Sequence, residues 1–237
     1  MSDGASDETF APDLILDILD DIEANLKTIH KHGSRADSIV KSMLQHSRGG
    51  DGKMEPTPLN PLIKEYTNLA FHGMKAGENP IDVDIQYDLD DSVGEVPLVA
   101  EDFSRVVLNI VNNGFDAMQE AGHKAQGAGG LETVENSPLE GSAEAERRRG
   151  VLGYAPKLTV RTFSEGESVT IEIEDNGPGI PDELKDKILQ PFFTTKKGTA
   201  GTGLGLSITN DIIKAHGGNL EIQSQPGKTV FMITLTF

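Results

Sequence analysis

The chain of 237 residues carries 38 acidic and 21 basic side chains, a formal net charge of −17, which argues against a nucleic-acid surface or a hold on anionic lipid. It has no cysteine, so disulfides, thiolate nucleophiles and Cys-based metal sites are excluded. Apolar residues make up 36%, enough for a core. No run approaches the roughly 20 apolar residues of a membrane span, so the expectation is an acidic cytoplasmic protein of one or two domains, without direct membrane insertion.

The first 26 residues hold eight acids and no base, and residues 1–12 read as a disordered lead-in. From Asp13 an apolar stripe recurs every seven residues. Ile15, Ile22, Ile29, Ala36 and Met43 form one row, flanked by Ile18, Leu19, Leu26, Ile39 and Val40. Such a stripe predicts one long helix over 13–47, about 50 Å at 1.5 Å per residue, needing partner helices to cover it, within a 13–50 hairpin segment. Gly49, Gly50 and Gly52 predict its stop.

Residues 55–237 read as one α/β domain. Asn60 then Pro61 predict a helix start, cap followed by N1, with the helix running to Lys75. Ile81, Val83, Ile85 and Tyr87 alternate as a half-buried strand, and a second helix covers 101–121. Residues 122–156, rich in Gly, Glu, Ala and Ser, predict a long mobile loop. Two strands, 157–163 and 168–174, meet at a Gly166 turn, and a short helix follows over 182–190. A Gly/Thr-rich segment over 194–205 leads into a helix from Leu204 to His216, stopped by Gly217-Gly218. Strands 219–224 and 229–237 close the chain around Pro226-Gly227.

Four clusters carry chemistry. Asn109, Asn113 and Asp116 share a face of the 101–121 helix, where Asn is a poor helix former; an amide oxygen there is a hard ligand for Mg2+ beside phosphates, or simply part of a solvated face. Asp175 follows an alternating strand and precedes Gly177 and Gly179. A carboxylate at a strand end accepts a hydrogen bond from an exocyclic amine, and the glycines admit a flat ring, although the same residues make an ordinary turn. Gly198, Gly201, Gly203 and Gly205 run straight into an apolar helix, a way to aim backbone N–H groups at phosphates. Phe192, Phe193, Thr194, Thr195 and Lys196 precede them with an apolar anchor, hydroxyls and a cation.

In this order, Asn109-x-x-x-Asn113, Asp175-x-Gly177-x-Gly179, Phe192-Phe193-x-x-Lys196 and Gly201-x-Gly203-x-Gly205 resemble the N, G1, F and G2 boxes of sensor histidine kinases of two-component systems. The resemblance implies an α+β fold, a two-layer α/β sandwich of the Bergerat ATP-binding type, with helices on one face of a mixed sheet and ATP under a lid over 194–205. It implies ATP and Mg2+ as ligands, with Asn113 on the metal and Asn109, Asn113 and Lys196 as the catalytic set. Asp175 would bond the adenine amine. The rest of the binding set would be Asp116, Gly177, Gly179, Ile180, Phe193, Thr195, Gly201, Thr202, Gly203, Leu204, Gly205, Leu206 and Thr229. At Gly114 the family usually carries Ala, a departure that loosens the helix without removing a ligand.

Hydrolytic relatives on this fold carry a Glu four residues before the metal Asn, as a base for water. Here that position is Asn109, which takes no proton at neutral pH, whereas a neutral imidazole nucleophile needs no such base. The expectation is therefore a kinase that phosphorylates a histidine on an upstream helix absent from this chain, for relay to a response regulator receiver domain. The alternatives are a hydrolytic ATPase and a non-catalytic nucleotide-sensing dimerisation module. None of the six histidines stands before an acid and Asn-Pro, as the family's phosphoacceptor does. Residues 29–48 resemble the second helix of the dimerisation hairpin. The expectation is a fragment that forms a homodimer through that hairpin and does not autophosphorylate.

Overall fold

The computed structural model describes residues 12–47, 52–77, 79–128, 154–196 and 201–237. The predicted lead-in up to residue 11, Gly49 and Gly50, most of the predicted loop and the centre of the 194–205 segment lie outside them. The chain forms two compact units, Met1–Ser47 with Thr194–Thr202, and Arg48–Phe193 with Gly203–Phe237.

In the first unit, α1 runs Pro12–Ser47 as one helix. Proline suits its first turn, where an N–H would go unpaired. Of the heptad stripe, Ile18, Leu19, Ile22, Leu26, Ile29 and Val40 are each 45–67% exposed, while the side chains of Ile15, Ile39 and Met43 lie outside the described ones. Among the described residues, no helix is long and apolar enough to cross a membrane.

The second unit is a sandwich of helices on one face of a sheet. β1 (Glu55–Pro58) pairs antiparallel with β3 (Glu95–Leu98) in a small ribbon that periodicity did not predict. β2 (Asp84–Leu89), β4 (Lys157–Glu165), β5 (Ser168–Asp175), β6 (Asn219–Gln225) and β7 (Lys228–Thr236) form the main sheet in the order β2-β4-β5-β7-β6. β2 is parallel to β4 and the other neighbours are antiparallel, so the sheet is mixed, as expected.

Along β5, Val169, Ile171 and Ile173 point to the helices and are buried. Each such side chain contributes roughly 1.5–3 kcal/mol by leaving water. On the opposite face Arg161 pairs with Glu174 at 2.7 Å and Glu172 at 3.4 Å, and Lys228 joins Glu174 at 3.3 Å. That ladder of charges leaves the second face of the sheet open to water.

α2 (Leu59–Lys75) and α3 (Ala100–Ala128) pack on each other, and α3 also meets β5 and α5 (Gly205–Ala215). Phe103, Val107, Ile110, Val111, Phe115 and Met118 give α3 its buried face. α4 spans Asp182–Lys185 only, and turns replace the rest of the helix predicted to residue 190.

Two local expectations are corrected. Asn60 does not cap α2, which begins at Leu59 after Pro58. Its amide instead donates to the Asp90 carbonyl at 2.9 Å and accepts from the Thr162 hydroxyl at 3.0 Å, tying α2 to the ends of β2 and β4. The predicted loop starts too early, because α3 continues through residues 122–128 on residues of good helix propensity such as Ala, Lys and Gln.

Candidate functional site

The C-terminal end of β5 places a carboxylate inside the sandwich. Asp175 is 4% exposed and continues the core-facing row of Ile171 and Ile173. Its Oδ1 accepts the Gly177 N–H at 2.9 Å, and Oδ2 makes no hydrogen bond among the described residues. Burial pushes its carboxyl up to about 6; the Gly177 N–H opposes the rise and the Glu174 charge adds to it.

Glycine is required at two positions beside it. A Cβ on Gly177 would stand 2.8 Å from Asp175 Oδ1 and 2.9 Å from the Ala117 Cβ of α3. Gly179 has φ +83°, and a Cβ there would run into the Gln225 carbonyl of the β6–β7 turn. On α3, Gly114 lies opposite the carboxylate; its Cβ would meet Asp175 Cβ and Leu158 Cδ1 at 3.4 Å, ordinary contact. Gly177 and Gly179 thus let the turn after β5 pack backbone-close against α3 and the β6–β7 turn, and Gly114 faces the same carboxylate.

The sheet supplies hydroxyls to the same end. Thr229 on β7 is the register partner of Asp175 and is buried. Its Oγ1 lies 2.9 Å from Ser224 Oγ, which accepts the Ile180 N–H at 2.8 Å. Lys185 donates to the Ser224 carbonyl at 2.8 Å, fastening α4 to the hairpin. Ser224 was missed in the sequence; its signal is a polar residue on the inward row of β6 after Leu220 and Ile222.

Tyr154 was also missed, inside the predicted loop. Its hydroxyl lies 3.1 Å from both the backbone carbonyl and the Oδ1 of Asn176. Asn176 also accepts the Lys157 N–H at 2.8 Å and donates to the Ala155 carbonyl at 2.7 Å, so residues 154–157 lock the turn after Asp175. Burial raises the Tyr154 phenol above its usual range and the nearby Asp175 charge adds to the effect. The available signal was an aromatic residue just ahead of a strand.

α3 distributes its polar residues over different neighbours. Asn109 is half-buried and its Nδ2 donates to the Gly205 carbonyl at 3.2 Å and Thr209 Oγ1 at 3.3 Å, both on α5. Asn113 is half-buried one turn on, and Asp116 is exposed. Asp116 lines a recess of about 440 Å³ with Asn112, Gln119 and Asn79 on the α2 side of α3, away from Asp175.

The glycine-rich motif meets the phenylalanine pair directly. Gly203 has φ +71°, and a Cβ on it would come 2.6 Å from the Phe192 carbonyl oxygen and 2.7 Å from that of Phe193. Phe192 itself has φ 67° and is 51% exposed, so it is a left-handed backbone position rather than the expected apolar anchor, whereas Phe193 is half-buried. After Gly203, Leu204 is buried, while Gly205 and Leu206 are half-buried at the start of α5. In the other unit, Thr194 Oγ1 accepts the Lys196 N–H at 3.2 Å, and a Cβ on Gly201 would touch both residues; Thr195 is exposed and Thr202 half-buried.

Residues 99–237 match the family described as histidine kinase-, DNA gyrase B-, and HSP90-like ATPase. The chain is 32% identical over 214 residues to the sensor kinase CckA of Brucella abortus (strain 2308), covering 89% of this chain and 20% of that protein. It is 34% identical over 151 residues to the sensory histidine kinase/phosphatase NtrB of Vibrio alginolyticus, covering 64% of this chain and 36% of that one. The chain therefore spans well under half the length of these relatives. The catalytic domain of histidine kinase ThkA aligns with a TM-score of 0.56 at 26% identity, over 78% of this chain and 95% of that one. ThkA in complex with response regulator protein TrrA gives a TM-score of 0.57 at 22% identity, over 97% of this chain and 53% of that one, a likeness of fold. The chain belongs to the histidine kinase-, DNA gyrase B- and HSP90-like ATPase family, and within it carries a sensor histidine kinase ATPase domain.

Proposed function

We propose that residues 55–237 bind ATP with Mg2+ and transfer its γ-phosphate to a histidine, for relay to the receiver-domain aspartate of a response regulator. The observation that carries kinase over hydrolase is Asn109. It stands where a hydrolytic relative needs a base, it takes no proton at neutral pH, and its amide nitrogen is spent on Gly205 and Thr209 of α5.

The residues fit the ligands. Asp175 offers an acceptor with Oδ2 unbonded among the described residues, and Gly177 and Gly179 hold the turn beside it close to the carboxylate. Asp175 accepts from the adenine amine, Gly177 and Gly179 border the ring with Ile180, and Thr229 stands beside it. Asn113 would hold Mg2+ by its amide oxygen, with Asp116 nearby on the same helix; the ion supplies neutralisation of phosphate charge. Gly203 and Gly205 with the N-terminus of α5, whose first turn has no acid, receive phosphate oxygens. Phe193, Thr195, Lys196, Gly201, Thr202, Leu204 and Leu206 are assigned to the lid by their motif. An acceptor imidazole nitrogen then bonds to the γ-phosphorus as the bond to the bridging oxygen breaks and ADP leaves.

None of the six histidines matches the phosphoacceptor motif, and the proposed acceptor is a histidine on the first helix of a dimerisation hairpin. α1 is assigned as the second helix of a dimerisation hairpin, on the strength of its exposed stripe. The test is γ-labelled ATP with Mg2+ and a polypeptide bearing such a histidine helix. Acid-labile label on that polypeptide is expected. Brisk steady release of phosphate, indifferent to it, would assign the chain to the hydrolases instead.

A further inference from the structure

α5 is tied to α3 at both of its ends. At the first, Asn109 of α3 holds the Gly205 carbonyl and the Thr209 hydroxyl. At the other stands His216, the C-cap residue of α5, 9% exposed. Its Nε2 accepts the N–H of Val99, the residue just ahead of α3, at 3.0 Å. Accepting there puts the ring proton on Nδ1, which donates to the Ile212 carbonyl at 2.8 Å. One neutral tautomer therefore serves both bonds, and the ring lies edge-on to Phe103 in the first turn of α3, with centroids 6.2 Å apart.

The chain beyond this point has no slack. Gly217 takes φ +72°, and a Cβ on Gly218 would come within 2.7 Å of Leu235 Cδ2 and the Thr234 carbonyl, so the turn into β6 is close-packed. Apolar contacts of Ile212 and Ile213 fix how deeply α5 sits, but being non-directional they set its position along its own axis weakly. The polar ties at its two ends set that position.

We infer that His216 is a positioning residue for phosphate recognition, holding from the far end of α5 the axial placement of the helix N-terminus and of Gly203 and Gly205 relative to Asn113. The inference rests on the reading that these glycines meet the triphosphate. Its consequence is a split between the two ends of the nucleotide. Loss of the Val99 bond loosens the phosphate end and leaves the Asp175 end, built from β5, β7 and α3, as it was.

The experiment measures Mg2+·ATP and adenosine affinities of the full chain by calorimetry at 25 °C, for the parent and three variants of His216. Glutamine carries an acceptor at the reach of Nε2, whereas asparagine keeps only the donor to Ile212 and phenylalanine keeps only the ring. His216→Phe and His216→Asn are expected to lose about tenfold in ATP affinity with adenosine affinity held within about twofold. His216→Gln is expected to retain both. An ATP-to-adenosine ratio unchanged in the Phe and Asn variants would overturn the inference, as would a Gln variant that falls as far as Phe. Should the Phe variant unfold, the Asn and Gln pair carries the same comparison. Asp175→Asn runs alongside, since unchanged adenosine affinity there would sink the nucleotide reading itself, independently of His216.

Discussion

Asp175 of β5 and Thr229 of β7 are direct cross-strand partners, both buried, on the sheet face that meets α3. The register of two strands thereby puts a carboxylate and a hydroxyl side by side, because paired residues point the same way. The hydroxyl continues through Ser224 to the Ile180 N–H, so one chain of hydrogen bonds joins the G1 turn to the last hairpin.

Burial of Asp175 makes stability and binding run in opposite senses with pH. Its folded carboxyl sits at about 6, above the ordinary 3.8, so the folded state keeps a proton that the unfolded chain has lost between those values. Stability therefore falls as pH rises through that window, and above it the buried charge costs up to about 3 kcal/mol. Asp175→Asn is expected to raise unfolding free energy near pH 7.5, with little gain near pH 4, in urea melts. ATP affinity has the reverse slope, full above pH 7 and falling as the acceptor is protonated through pH 6.

Tyr154 stands close enough to Asp175 for the carboxylate charge to act on its phenol. Removing only the hydroxyl, in Tyr154→Phe, is expected to cost about 1 kcal/mol of stability, because Asn176 keeps its bond from Lys157. Tyr154→Ala admits water, so the acid limb of ATP binding is expected to move to lower pH. An unmoved limb in a pH titration of affinity would remove Tyr154 from the site.

Gly114 and Gly179 are expected to respond oppositely to alanine. At Gly114, in the interior of α3, a Cβ meets its neighbours at 3.4 Å, and Gly114→Ala should gain about 0.5–1 kcal/mol by helix propensity. The family resemblance, with Ala at this place, points the same way.

Gly179→Ala meets the β6–β7 turn at a φ of +83°. It is expected to lose roughly 1–3 kcal/mol and to weaken ATP binding, since the hairpin it displaces carries Thr229. Denaturant midpoints with parallel nucleotide titrations check both variants.

What was legible in the sequence was local. Gly166 and Pro226-Gly227 mark their hairpins because turn chemistry needs only neighbouring residues, and Val169, Ile171 and Ile173 announce β5 by alternation. Asp175 with its glycines is a motif of the same short range. The β1–β3 ribbon was hidden, since a strand with prolines at positions 56 and 58 offers few donors and no apolar alternation. Asn60 and Tyr154 misled for another reason. Their partners lie 30 to 102 and 22 residues away in the chain, and a capping or loop preference describes only the near neighbourhood. Asn109 is excluded as a base by its chemistry alone, but its grip on α5 depends on packing and could be found only in three dimensions.

The central claim is that Asp175 reads the base of the nucleotide. It is tested most directly by comparing ATP with inosine triphosphate, which carries a carbonyl in place of the exocyclic amine. At pH 7.5 the parent is predicted to prefer ATP, because a carboxylate accepts from the amine and repels the carbonyl. In Asp175→Asn the side-chain oxygen can still accept from Gly177 while the amide nitrogen donates to the carbonyl, so the preference should shrink at least about tenfold or invert. An ATP-to-ITP affinity ratio identical in parent and variant would contradict the assignment of the site.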